Sequence, residues 1–190
     1  MAQSSAVGVV ERPSAARVGA VVWLASELMF FAGLFAAYFT IRASVAAWPP
    51  AGVELQPLRA GMFTLVLVAS SGTVQLAHQA AERSDLVALR RWLGVTVVLG
   101  AIFLANQGIE YRANTFSVSS HSYGSIYYLM TGLHGLHVLA GLLAMALLII
   151  RASVDTDAVA QEPTVAVVSF YWHFVDVVWV GLYATLYFVR

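Results

Sequence analysis

Five long apolar segments divide this chain, and they constrain its fold more than any other feature. An α-helix that crosses a bilayer needs about 20 residues at roughly 1.5 Å rise each. The segments that meet this requirement span residues 18–41, 61–81, 92–111, 123–150 and 164–189. Of the 190 residues, 60% are hydrophobic and 11% are charged, whereas soluble domains carry about 25% charged residues. The segments are therefore predicted to lie in lipid.

This pattern predicts an all-α polytopic membrane protein. A single domain of five transmembrane helices, residues 18–190, follows a tail of residues 1–17. An odd number of spans puts the two termini on opposite sides of the membrane. The ten basic residues are all arginines and divide six to four between the two sides. Since positive charge is enriched on the cytoplasmic side, we expect a cytoplasmic N-terminus and an external C-terminus.

Composition also excludes several kinds of site. The chain contains no cysteine, which excludes disulfides, iron–sulfur clusters and thiolate zinc sites. Its formal net charge is zero, so nothing indicates a nucleic-acid partner.

Polar residues recur at one depth in three of the predicted helices. Glu27 and His173 each lie nine residues from the inner end of their helix, about 14 Å deep. Asp176 follows His173 by one turn, and Ser71 on the second helix reaches about 15 Å from the same side. An ionised glutamate in hydrocarbon costs several kcal/mol unless it is paired. We therefore expect Ser71 or His173 to satisfy Glu27, either as a packing contact or as a site that binds protons.

A polar stripe follows the second predicted helix. Its members recur at i, i+4, i+7 and i+11 and are Ser71, Gln75, His78 and Glu82. Such a face is typical of a hydrogen-bonded seam between helices. A wetted, proton-accessible face is the alternative.

The fourth predicted helix carries two histidines in the stretch TGLHGLHVLAG. His134 and His137 are three residues apart and share a face, and the glycines allow a second backbone to approach. Zinc requires three or four ligands, and a bis-histidine heme requires one ligand from each of two helices. No spacing here demands either, so we expect hydrogen-bonded packing histidines and no metal site. At the end of the third helix, Asn106, Glu110 and Arg112 predict a hydrated interface.

Five stretches resemble subunit III of the heme–copper respiratory oxidases. They occur in the family's order over residues 18–190 and read LASELMFFAGLFAAYF, SSGTVQLAH, FLANQGIEY, TGLHGLHVLAG and YWHFVDVVWVGLYATLY. Longer family members have seven helices, and the short N-terminal tail cannot supply the missing two. The resemblance is therefore to the five-helix form, as in actinobacterial cytochrome c oxidase.

The resemblance assigns roles to several of the polar residues. The family's carbodiimide-reactive membrane glutamate corresponds to Glu27. Its histidine on the TGxHGxH helix corresponds to His134, which His137 follows. The WHFVD pair on the last helix corresponds to His173 and Asp176. The resemblance implies no catalytic residue in this chain.

The resemblance further implies a particular assembly. Heme and copper are expected in partner subunits, namely the catalytic subunit I together with subunit II, and none in this chain. Structural phospholipid is expected beside it, and a larger respiratory supercomplex is compatible with it. The expected location is the bacterial plasma membrane, and the expected role is to stabilise the catalytic subunit and sustain proton uptake.

Other functions stay open at this point. The chain could be subunit III of a quinol oxidase, or a homologue associated with nitric oxide reductases. A small histidine-ligated membrane cytochrome and a stand-alone proton transporter are further alternatives. The transporter is disfavoured because the sequence shows no inverted repeat.

Overall fold

Five helices account for almost all of the structure. The computed structural model describes residues 15–154 and 162–189. The helices are α1 (Ala15–Ala43), α2 (Pro57–Glu82), α3 (Leu86–Ala113), α4 (Ser122–Val154) and α5 (Glu162–Tyr187). Each is long and apolar enough to span a membrane, and the described residues contain no β-strand. The predicted all-α fold with five spans is therefore confirmed.

Some of the sequence predictions cannot be compared with this structure. Most of the predicted tail, residues 1–17, lies outside the described residues, and so does Arg190. The side of the membrane that each terminus faces stays a prediction.

Two helices begin a turn or more before the apolar segments that predicted them. Helix α2 begins at Pro57, where the fixed backbone angle of proline suits a first helical position. Helix α3 is capped by Asp85, whose carboxylate accepts hydrogen bonds from the backbone N–H groups of Val87 (3.1 Å) and Ala88 (2.9 Å). Backbone hydrogen bonding and capping set these ends, whereas hydropathy detects only the lipid-facing portion.

Four of the helices form a bundle, and the first lies outside it. Helix α2 contacts α3 and α5, and α4 contacts the same two helices. Helix α1 packs against α4 and α5 and, within the described residues, touches neither α2 nor α3. Its fully buried contacts form a narrow seam at seven-residue spacing, Leu24, Phe31 and Tyr38. Most of the remaining surface of α1 is exposed.

Trp172 of α5 fills the centre of the bundle. Its ring lies so close to two glycines that a Cβ added at Gly100 of α3 or Gly141 of α4 would come within 2.8 Å and 2.7 Å of it, respectively. The indole Nε1 donates a hydrogen bond to Ser70 Oγ of α2 (2.8 Å). One side chain thus joins four helices, and the two glycines provide the space it needs.

Candidate functional site

Glu27 pairs with His137 of α4. Its Oε2 lies 3.0 Å from His137 Nε2, with the glutamate side chain 23% exposed and the histidine 17% exposed. His137 Nδ1 lies 2.8 Å from the Leu133 carbonyl oxygen, which can only accept, so Nδ1 carries a proton. A hydrogen bond between Nε2 and Oε2 needs one further proton, carried either by the imidazole or by the carboxyl group. The pair is therefore neutral overall, which suits its place in a membrane helix.

The predicted neighbours of Glu27 were wrong. Ser71 does not contact it because α1 does not reach α2. His173 lies on α5, which α1 does contact, but the Glu27 carboxyl group turns to His137 of α4 instead. The prediction that Glu27 and His173 lie at one level agrees better with the structure, since Leu24 and Leu28 of α1 line the same cleft as His173. Counting residues gives depth along a helix, whereas the rotation of α1 is set by its buried seam. That rotation turns Glu27 towards α4.

A second polar cluster joins α2 to α5 at the same level. Ser71 Oγ is hydrogen-bonded to Asp176 Oδ2 and lies 3.0 Å from His173 Nδ1. The other imidazole nitrogen, Nε2, lies 3.4 Å from Gln75 Oε1. Asp176 is buried, and its Oδ1 has no hydrogen-bond partner. Three of the predicted site residues are thus brought together without Glu27.

The α2 stripe continues beyond this cluster. His78 Nε2 lies 3.6 Å from Glu82 Oε1, and the Glu82 side chain is 55% exposed at the end of the helix. The stripe therefore runs from the exposed Glu82 to Ser71, which is hydrogen-bonded to the buried Asp176 of α5.

His134 was predicted to form hydrogen bonds, but the structure shows none at its ring. It is 1% exposed, and neither ring nitrogen has a hydrogen-bond partner. Its ring packs against Trp179 (4.9 Å between centroids) and Phe103 (6.0 Å). The prediction was wrong because His134 turns into an aromatic layer, where the Trp179 Nε1 donates instead to Thr64 Oγ1 (2.9 Å). Within the part of the chain that the structure describes, no group of three or more His, Asp or Glu residues could hold a metal ion.

The end of α3 forms a buried cluster that the sequence analysis missed. Glu110 is 8% exposed and its Oε1 accepts hydrogen bonds from Tyr127 (3.0 Å) and Tyr187. Asn106 is also buried and accepts a hydrogen bond from Arg59 Nε (2.9 Å). The predicted hydrated interface was therefore wrong for these two residues.

A signal for this cluster was present in the sequence. Asn106 and Glu110 lie three and seven residues after the buried Phe103. That spacing places them on the core-facing side of α3.

Comparison with known proteins identifies the family. Residues 8–190 match the family model described as cytochrome c oxidase subunit III. The chain is 51% identical over 185 residues to the probable cytochrome c oxidase subunit 3 of Nocardia farcinica, covering 95% of this chain and 91% of that protein. It is 48% identical over 191 residues to the probable subunit 3 of Mycobacterium tuberculosis, covering 98% and 94%. It is 44% identical over 196 residues to cytochrome c oxidase subunit 3 of Corynebacterium diphtheriae, covering 100% and 96%. The chain therefore belongs to the cytochrome c oxidase subunit III family.

Proposed function

We propose that this chain is a non-redox accessory subunit of a proton-pumping cytochrome c oxidase in a bacterial plasma membrane. Membership of the family makes it a multi-pass membrane protein of an oxidase complex. In the proposed role it stabilises the heme–copper catalytic subunit I, contacts subunit II and structural phospholipid, and helps to sustain proton uptake during oxygen reduction.

The observation that carries this proposal is the way α1 is attached. The helix packs along one narrow seam, and the Glu27–His137 pair lies in that seam. Much of its surface is apolar and exposed, with Val22 and Met29 among the most exposed residues. Such a surface requires lipid or a partner helix to cover it. A chain whose exposed apolar surface is covered by lipid or by another subunit fits an accessory role.

The positions of the histidines support a non-redox role over the small-cytochrome alternative. His137 is engaged by Glu27 and the Leu133 carbonyl, and His173 by Ser71 and Gln75. The His134 ring packs against aromatic rings. Ligation of an iron by a histidine needs a free ring nitrogen facing the metal. Both ring nitrogens of His137 and both of His173 are therefore already engaged, and only those of His134 are free among the three residues.

Purification should separate the cytochrome and accessory functions. The chain expressed alone is expected to be colourless in the visible range, while the natively purified chain should bring a heme-containing partner with it. The measurement is an optical spectrum and a partner list from mild-detergent purification through a tag. A stoichiometric Soret band from the isolated chain would establish the cytochrome alternative.

Turnover of the native complex with reduced cytochrome c but not with a quinol would favour a cytochrome c oxidase over a quinol oxidase.

Glu27 is expected to affect the durability of the oxidase more than its initial rate. Glu27→Ala removes the bond to His137, which loosens α1 by about 1 kcal/mol. The initial rate should stay near that of the wild type, and activity should then decay faster during sustained turnover. Glu27→Gln retains a polar partner for His137 and should decay less. The measurement is the progress curve of oxygen consumption by the purified complex, with Glu54→Ala, an exposed loop carboxylate, as the matched control.

Two outcomes would contradict this expectation. Loss of the initial rate in a fully assembled Glu27→Gln complex would place the residue on an essential proton path. A Glu27→Ala complex that matched the wild type in both rate and decay would show that the pair has no role in durability.

The proposed orientation can be tested with single cysteines, because the chain has none of its own. A cysteine at Ala51, in the loop between α1 and α2, should react with an impermeant thiol reagent added to intact spheroplasts. A cysteine at Ser4 should react only after the membrane is opened. Reaction at position 4 in sealed spheroplasts would reverse the proposed topology.

A further inference from the structure

We propose that Ser71 relays a proton between Asp176 and His173, so that this cluster is a proton-binding site within the membrane. Ser71 is contributed by α2, and the two titratable groups lie one turn apart on α5. The serine hydroxyl contacts both of them, with Oγ 3.0 Å from His173 Nδ1 and hydrogen-bonded to Asp176 Oδ2. A hydroxyl can donate one hydrogen bond and accept others at the same time. Ser71 therefore connects the acid to the base.

In one state of the cluster every group is neutral. The protonated Asp176 donates from Oδ2 to Ser71 Oγ, and Ser71 donates its own proton to His173 Nδ1. The neutral imidazole carries its proton on Nε2 and donates to Gln75 Oε1, 3.4 Å away. All three contacts then have one donor and one acceptor.

A second state satisfies the same contacts with the proton moved. The proton on Asp176 Oδ2 passes to Ser71 Oγ while the Ser71 proton passes to His173 Nδ1. Asp176 is now a carboxylate that accepts from Ser71, and the imidazolium donates from Nδ1 to Ser71 and from Nε2 to Gln75. No atom is gained or lost, and the net charge of the cluster stays zero. In both states each of these contacts has one donor and one acceptor, so the geometry permits both states.

Burial gives the cluster an inner and an outer end. Asp176 is 4% exposed, whereas His173 is more accessible and lines two clefts beside α5. One cleft of about 450 Å³ is lined by Leu24 and Leu28 of α1 and reaches His173 but not Asp176. The other, of about 260 Å³, is bordered by Ser71, His173 and Asp176 together. Because His173 is the more accessible group and borders both clefts, protons would exchange mainly on the imidazole side.

The other titratable groups near the cluster are consistent with proton exchange at His173. On α2, His78 and Glu82 continue the stripe to its exposed end. On α1, Glu27 is bound to His137 of α4, and the residues of α1 in the cleft beside His173 are apolar. Among the described residues of α1, none that lines this cleft is titratable.

The experiment is nitrogen NMR of the full chain in lipid bilayers, with ¹⁵N-labelled histidine and one fixed pH. The variant His173→Gln identifies the His173 signals by their loss. Because transfer between hydrogen-bonded atoms is fast, the wild-type Nδ1 signal is expected between the positions of a protonated and a bare nitrogen. Ser71→Ala and Asp176→Asn should each remove this intermediate signal and leave a bare Nδ1.

Two further variants distinguish a relay from a packing contact. Ser71→Thr keeps a hydroxyl and should retain the intermediate signal. Ser26→Ala is the matched control, because the Ser26 hydroxyl donates to the Trp23 carbonyl of its own helix, α1 (2.6 Å), and takes no part in the cluster. It should leave the His173 signal unchanged.

Several outcomes would overturn the proposal. A wild-type Nδ1 that is fully bare or fully protonated would show a single fixed state. An intermediate signal that persists in Asp176→Asn would exclude the carboxyl as its source, and one that persists in Ser71→Ala would exclude the serine. If Ser71→Ala does not fold, Ser71→Thr and Asp176→Asn still decide the question. The readout is on this chain itself, so it does not depend on the proposed role in the oxidase.

Discussion

Replacing Trp172 with alanine is expected to lower the free energy of unfolding by about 3 kcal/mol, the lower end of the range for buried tryptophan. The side chain is fully buried between Gly100 and Gly141 and donates to Ser70. Its removal leaves a cavity where four helices meet and takes from Ser70 Oγ the hydrogen bond that it accepts, although this hydroxyl still donates to the Leu67 carbonyl. We take the lower end because helices that separate within lipid keep their apolar side chains out of water. Lost packing then accounts for most of the effect.

The measurement is the midpoint of unfolding of the detergent-solubilised chain in a dodecyl sulfate titration, followed by near-ultraviolet circular dichroism. Trp23→Ala is the matched control, because that side chain is 47% exposed on α1. Gly141→Ala should destabilise by about 1 kcal/mol or more by forcing the ring to move. Gly94→Ala, where an added Cβ meets nothing within 4 Å, should not. Equal midpoints for Trp172→Ala and Trp23→Ala would contradict the central role of Trp172.

The number and order of the helices could be predicted from the sequence, because they depend on the length and apolar character of each segment. A bilayer requires a continuous apolar run, and residue counts along that run give depth. This reasoning put Ser71, His173 and Asp176 at one level, and the structure joins them.

The neighbours of a residue depend on helix rotation, which residue counts do not give. Glu27 turns towards His137, because Leu24, Phe31 and Tyr38 seat α1 on α4 and α5. In a lipid-exposed helix the hydrophobic pattern is nearly uniform around the axis, so the buried side is poorly marked. The seven-residue spacing of three large residues in α1 was the available signal.

Two polar clusters, on separate helix pairs, combine acidic and basic groups in the same way. Glu27 with His137 joins α1 to α4, and Asp176 with His173 and Ser71 joins α5 to α2. In each, a carboxyl group is combined with an imidazole so that the net charge can stay zero. A neutral pair avoids most of the penalty for placing a charge in hydrocarbon. This explains how a chain with so few charged residues accommodates two carboxyl groups deep within its helices.

Glu110→Leu is expected to destabilise the chain by about 1 kcal/mol or more, since it removes the acceptor that two buried hydroxyls share. The hydroxyls of Tyr127 and Tyr187 are also close enough to bond to each other, so one of them can still donate to the other while one is left unpaired. Tyr127 of α4 and Tyr187 of α5 both donate to the one oxygen, Glu110 Oε1. The carboxylate therefore ties the ends of three helices together. Glu110→Gln retains an acceptor oxygen and should be affected less.

Removing the two hydroxyls should reverse much of this effect. In the triple variant Glu110→Leu with Tyr127→Phe and Tyr187→Phe, no buried donor is left unpaired, so it should be more stable than Glu110→Leu alone. The dodecyl sulfate midpoint of each variant completes the cycle, and Tyr183→Phe, whose hydroxyl donates to the Pro57 carbonyl at an exposed site, is the control for losing a tyrosine hydroxyl. A triple variant that is less stable than Glu110→Leu would mean that the tyrosine hydroxyls find other partners. The stability of this end of the bundle would then come from packing of the rings, and Glu110 would not be its organising residue.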